Sequence, residues 1–148
     1  MDAKHLIMEF DFKADYTRIF SKESLRIGSI YMRLIKWTPE FYPGFESPIV
    51  PVWITFPLLP LYWFDKEALF LAASLVDRPL RIDEPTIQRK RLGTARVCIE
   101  IDVSKPLEDE IWLTIVDEKT GEPIERISQQ VEYESHPSYC SYCCHLGH

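Results

Sequence analysis

Arg96-Val97-Cys98-Ile99-Glu100-Ile101-Asp102-Val103 decides the fold of this chain. Side chains alternate along a strand, so Val97, Ile99, Ile101 and Val103 share one face and Arg96, Cys98, Glu100 and Asp102 the other. The pattern predicts a strand with one buried and one wet face. Glu100 and Asp102, two apart on that second face, read as its solvated side in preference to a metal-binding pair. Downstream, residues 111–116 form a further strand, Glu118-Lys119-Thr120-Gly121 a turn, and residues 124–133 the returning hairpin partner.

Upstream, Pro79-Leu80-Arg81-Ile82-Asp83 reads as a short strand. Asp65 stands where a helix starting at Lys66 needs its N-cap. Leu69, Ala72, Ala73 and Val76 then recur at helical spacing. Val52-Trp53-Ile54-Thr55-Phe56 is β-branched and aromatic, hence a strand, and Pro57 and Pro60 end it. Residues 38–51 are a proline-punctuated loop, residues 30–37 another strand, and residues 15–22 a short helix. Leu6-Ile7-Met8-Glu9-Phe10-Asp11-Phe12 alternates, which predicts a first strand burying Leu6, Met8, Phe10 and Phe12. The order predicts an α+β fold, an antiparallel sheet with two helices. Its core is expected to be a ferredoxin-like or RRM-like βαββαβ unit with extra C-terminal strands. Residues 1–134 would form that domain and residues 135–148 a short zinc-knuckle tail.

The net charge of −6 argues against phosphate binding by the whole surface. Any nucleic-acid contact therefore needs a local basic patch or base stacking. Arg89-Lys90-Arg91, with Arg78, Arg81 and Arg96 nearby in sequence, is the candidate patch. Its alternative is a solvated loop that offsets Asp77, Asp83 and Glu84. Trp37, which shares a strand face with Tyr31, and Trp53 are candidate stacking platforms, and core packing is the bland reading of each.

Of the cysteines, Cys140, Cys143 and Cys144 crowd into the C-terminus, which favours metal binding over a disulfide scaffold. Cys140, Cys143 and His148 stand in the order C-x2-C-x4-H, the opening of a zinc knuckle, and are the candidate Zn2+ ligands. The chain stops at the third, so water, Cys144, His145 or another chain would complete the shell. A frayed tail with free thiols is the other reading. Complete knuckles bind single-stranded nucleic acid.

No Walker loop, G-x-G-x-x-G, H-E-x-x-H or G-x-S-x-G motif is present, so neither an enzyme nor a small-molecule substrate is expected. No stretch is apolar enough to cross a bilayer and the N-terminus lacks a signal-peptide plan. The expectation is an intracellular protein, nuclear or cytoplasmic, with no membrane partner.

Four segments and the knuckle, taken in order, form a set. They are Leu34-Ile35-Lys36-Trp37-Thr38-Pro39-Glu40-Phe41, Ser47-Pro48-Ile49-Val50-Pro51-Val52-Trp53-Ile54-Thr55-Phe56-Pro57, Arg78-Pro79-Leu80-Arg81-Ile82-Asp83 and Ala95-Arg96-Val97-Cys98-Ile99-Glu100-Ile101-Asp102. The set resembles the plant DUF4283 family with its attached CCHC zinc knuckle. That family is similar to the gag-like first open reading frame of LINE-type non-LTR retrotransposons. The resemblance implies a nonenzymatic protein that binds RNA or single-stranded DNA, with zinc at Cys140, Cys143 and His148. The alternatives are a protein-interaction module that assembles by self-association, and an inactive relic.

Overall fold

The computed structural model describes residues 5–22 and 24–147. In chain order its elements are α1 (Lys13–Phe20), β1 (Ser24–Ile27), β2 (Ile30–Arg33), β3 (Ile49–Pro57), α2 (Lys66–Ser74), β4 (Arg78–Ile82) and α3 (Glu84–Ile87). They continue with β5 (Thr94–Asp102), β6 (Glu110–Val116), β7 (Pro123–Gln130), β8 (Glu132–Tyr133), β9 (Tyr139–Cys140) and β10 (His145–Leu146). The result is a mixed α+β fold with antiparallel sheets and a few helices.

The main sheet has the order β4-β5-β3-β8. β5 pairs antiparallel with β3 along its whole length, from Thr94 opposite Pro57 to Asp102 opposite Ile49. It also pairs antiparallel with β4. β3 and β4 are therefore parallel to each other with β5 between them, and α2 is the crossover. The unit is a split β-α-β.

Paired residues share a face. Val52, Ile54 and Phe56 lie with Val97, Ile99 and Ala95 on one side, all fully buried. Leu69, Ala72 and Ala73 of α2 and Ile111 and Leu113 of β6 complete this core. The expected helix is thus present with its apolar stripe inward. Asp65 caps it, accepting a hydrogen bond from the Ala68 N–H at 2.9 Å. Asp65→Ala is expected to cost about 1 kcal/mol, read from urea unfolding, while Asp65→Asn stays within a few tenths.

The face expected to be wet is covered. Cys98 is fully buried and Glu100 is 5% exposed. α1 lies over this side: the Tyr16 hydroxyl donates to Glu100 Oε2 at 2.9 Å, and Trp53 Nε1 donates to the Ser21 carbonyl at 3.2 Å. Lys36 donates to the other oxygen of Glu100. A carboxylate survives burial because both of its oxygens are satisfied and its charge is paired.

Two further expectations are corrected. Residues 5–12 form no strand, and Leu6 and Phe12 are 72% and 69% exposed. Alternation buries a face only when a neighbouring strand offers a ladder, and none pairs there. The strand predicted over residues 30–37 stops at Arg33 and is one arm of a hairpin with β1. Gly28, at φ 62°, supplies the left-handed backbone of its two-residue turn. Among the described residues no helix is long and apolar enough to cross a membrane.

Candidate functional site

α1 enters along the edge of the sheet formed by β4. Arg78 and Arg81 of β4 pair opposite Glu100 and Cys98, which puts both on the face that α1 covers. Between helix and strand opens a cleft of about 670 Å³. Lys13 and Arg18 line it from α1, Arg78 and Arg81 from β4, and Tyr16 and Phe70 add ring surface. Arg18 forms an exposed pair with Asp15 at 2.9 Å, and exposed pairs of this kind contribute little. Lys13, Arg78 and Arg81 form no ion pair among the described residues. In a chain of net charge −6 this is a concentrated cationic site.

The sequence-predicted patch lies elsewhere on the surface. Arg89, Lys90 and Arg91 are all exposed in the turn after α3, with Arg89 at φ 55°. They do not line the cleft. Arg96, counted with them in the sequence, is not available to a phosphate. Its guanidinium makes two hydrogen bonds to Glu134, at 2.6 and 2.8 Å, and a third to Asp83 at 3.2 Å. The Arg96 hydrogen bond holds the Glu134 carboxyl below its ordinary value, against the opposing effect of burial.

The aromatic candidates are also redistributed. Arg96 lies over the Trp53 ring, 4.0 Å from its centroid, so one face of that indole is taken. Trp37 and Tyr31 are exposed, and Arg26 lies 5.2 Å from the Tyr31 centroid. A stack of Tyr16 on Phe20, with centroids 5.1 Å apart, belongs to α1 and not to the sheet surface.

The terminal cysteines sit in a β-hairpin. β9 and β10 flank a turn in which the Cys144 N–H donates to the Cys140 carbonyl at 2.8 Å and Cys144 takes φ 57°. Leu146 is buried in the main core, and its N–H donates to Glu46 Oε2 at 2.8 Å. Backbone N–H groups of Cys143 and Tyr142 hold the Cys140 thiol below its ordinary value, and burial followed by the Cys140 contact raises Cys143.

The Zn2+ site expected at Cys140, Cys143 and His148 is corrected by this arrangement. Among the described residues no group of three or more His, Cys, Asp or Glu side chains is placed to hold a metal ion. His148 lies outside the described residues. Neither expected substitute joins the two thiols: Cys144 Sγ donates to the Ser141 carbonyl at 3.7 Å, and His145 Nδ1 contacts the Cys143 carbonyl. Zinc takes at least three convergent protein ligands, and two thiols do not supply them. The CCHC knuckle expected here is a backbone-tied hairpin.

Lys13 and Arg18 were invisible as site residues in the sequence. No spacing rule joins residues 13–18 to residues 78–81, and only the seating of α1 against β4 brings them together. No family model, no curated protein and no solved structure matches the chain.

Proposed function

We propose that this chain is a nonenzymatic binding domain for single-stranded RNA or DNA, of the gag-like retrotransposon type. The observation that carries the reading is the cleft between α1 and β4. Four cationic side chains surround it, and Tyr16 and Phe70 lie among them. Proteins that bind single strands without strong sequence preference combine a cationic groove for the backbone with rings on which bases stack. A cleft confined to one sheet edge suits a chain whose overall charge repels polyanions. The unit β3-α2-β4, with the next strand β5 between its two strands, supports a relation to the first β-α-β-β half of a ferredoxin-like plan.

A second reading, assembly by self-association, draws on the β1–β2 hairpin. Ile27, Ile30 and Tyr31 are 60%, 63% and 71% exposed there, more apolar surface than a free hairpin needs.

The test is fluorescence anisotropy of labelled single-stranded RNA against the full chain over a range of salt. The logarithm of affinity is expected to fall with the logarithm of salt at a slope of about −2 to −3, as three or four phosphate contacts require. A slope near zero, or no binding at low salt, would sink the nucleic-acid reading. Concentration-dependent dimerisation without RNA affinity would favour the second.

A further inference from the structure

A second pocket, of about 490 Å³, opens where the β1–β2 hairpin meets β3 and the segment at residues 135–137. It shares no lining residue with the cationic cleft. Its volume is within the range of small-molecule sites, roughly 300–1,000 Å³. Val50 is buried and Met32 and Leu34 half-buried, so they form an apolar floor. Arg33 and Tyr31 are exposed at the mouth, with His136 beside them.

The Arg33 guanidinium forms no hydrogen bond and no ion pair among the described residues, although acidic side chains outnumber basic ones by 23 to 17. It lies so close over Gly147 that a Cβ there would sit 3.0 Å from one of its terminal nitrogens, and Gly147 takes φ 76°. Glycine at this position lets the terminal hairpin serve as a backing for the guanidinium. His136 is oriented separately: its Nδ1 lies 3.3 Å from the Pro137 carbonyl and its ring meets Tyr133 edge-on. With Nδ1 turned to that carbonyl, Nε2 is the ring nitrogen left to meet a ligand.

We propose that this pocket binds a small phosphate monoester carried on an apolar body. The planar fork of Arg33 takes two phosphate oxygens. The third phosphate oxygen is left for His136 Nε2. The floor of Met32, Leu34 and Val50 receives the apolar body. A carboxylate spends both of its oxygens on the Arg33 fork and has no third for Nε2, which is the basis for choosing the phosphate.

Calorimetric titration of the full chain with phenyl phosphate, inorganic phosphate and benzoate tests the assignment. Phenyl phosphate is expected to bind with Kd below about 1 mM. The other two probes should be roughly tenfold weaker or worse. Arg33→Gln should weaken phenyl phosphate roughly ten- to a hundredfold, with Arg33→Lys between it and the parent. Near-UV circular dichroism of each variant, unchanged from the parent, confirms the fold. No heat with phenyl phosphate, or equal affinity in Arg33→Gln, overturns the site. Benzoate binding as tightly as phenyl phosphate overturns the choice of phosphate, and inorganic phosphate binding as tightly overturns the apolar floor. Single-stranded RNA affinity should stay unchanged in Arg33→Gln, which separates this result from the fate of the cleft.

Discussion

Glu100→Ala is expected to lower the unfolding free energy by about 3 kcal/mol, a fall of roughly 6–12 °C in Tm for a chain of this size. Glu100 ties three separate segments together. It accepts from Tyr16 of α1 and from Lys36 of the segment after β2, and it stands on β5 at 5% exposure. Alanine leaves Lys36 without its counter-charge and removes the contact that seats α1 on the sheet. Removing one partner of a buried pair costs more than the pair itself contributes, because the other charge remains desolvated. Lys36 keeps about a third of its surface in water, which holds the expected cost at the lower end of that range. A Tm change smaller than about 2 °C would show that α1 is held by its apolar contacts alone.

The same cluster predicts alkaline sensitivity. Burial, followed by the charge and hydrogen bond of Glu100, raises the Tyr16 hydroxyl above its ordinary value. Burial likewise pushes Tyr133 up to about 12. A group raised on folding contributes stability that is whole below its unfolded value, about 10 for tyrosine, and lost as pH rises above it. Tm should therefore hold level to about pH 9 and fall between about 10 and 12. Glu100→Ala should remove only part of the Tyr16 share of that fall, because burial is its larger cause.

Reversing both arginines of the cleft, Arg78→Glu with Arg81→Glu, is expected to weaken single-stranded RNA binding about a hundredfold at low salt. It should reduce the salt slope by about 1.4, the release of counterions from two phosphates. Both side chains lie on an edge strand and are exposed, so thermal unfolding should be little changed. The exposed run Arg89, Lys90 and Arg91 supplies the internal comparison. Reversing those three should change affinity less than the double reversal does. If the triple variant carries the loss, the interface lies on the turn after α3 and the cleft reading fails.

Where local chemistry settles the outcome, the sequence was a sufficient guide. The Asp65 cap, the inward stripe of α2 and the alternation of β5 each depend on residues within a few positions of one another. The hairpin of β6 and β7 followed from Gly121, which takes φ 70° as its turn requires. Alternation failed at Leu6–Phe12-type spacing because a strand also needs a partner. Phe10 instead packs edge-on against Tyr16, 6.1 Å between centroids. It failed again on the second face of β5, since no local pattern announces that a helix eighty residues earlier will cover Glu100. β1 was too short for its alternation to register, although Gly28-Ser29 was a readable turn signal. The cysteine spacing was real, but spacing fixes only how two thiols can meet. A third ligand depends on where the hairpin directs the side chains beyond them, and its bonds to Glu46 and Ser138 set that direction.

The placement of β5 between β3 and β4 has a consequence for how the molecule comes into being. As the chain emerges during synthesis, β3, α2 and β4 appear first, yet β3 and β4 share no hydrogen bonds with each other. Every ladder that joins them runs through residues 94–102. Until that segment has left the ribosome, Val52, Ile54 and Phe56 lack the strand that covers them and have mainly α2, Leu59 and Phe64 to bury against. The nascent protein must carry an apolar strand with open edges for the time needed to make some forty more residues, roughly 2–8 s at ordinary elongation rates. β5 then closes one edge of β3 and one of β4 together, and the other edge of β3 waits for β8.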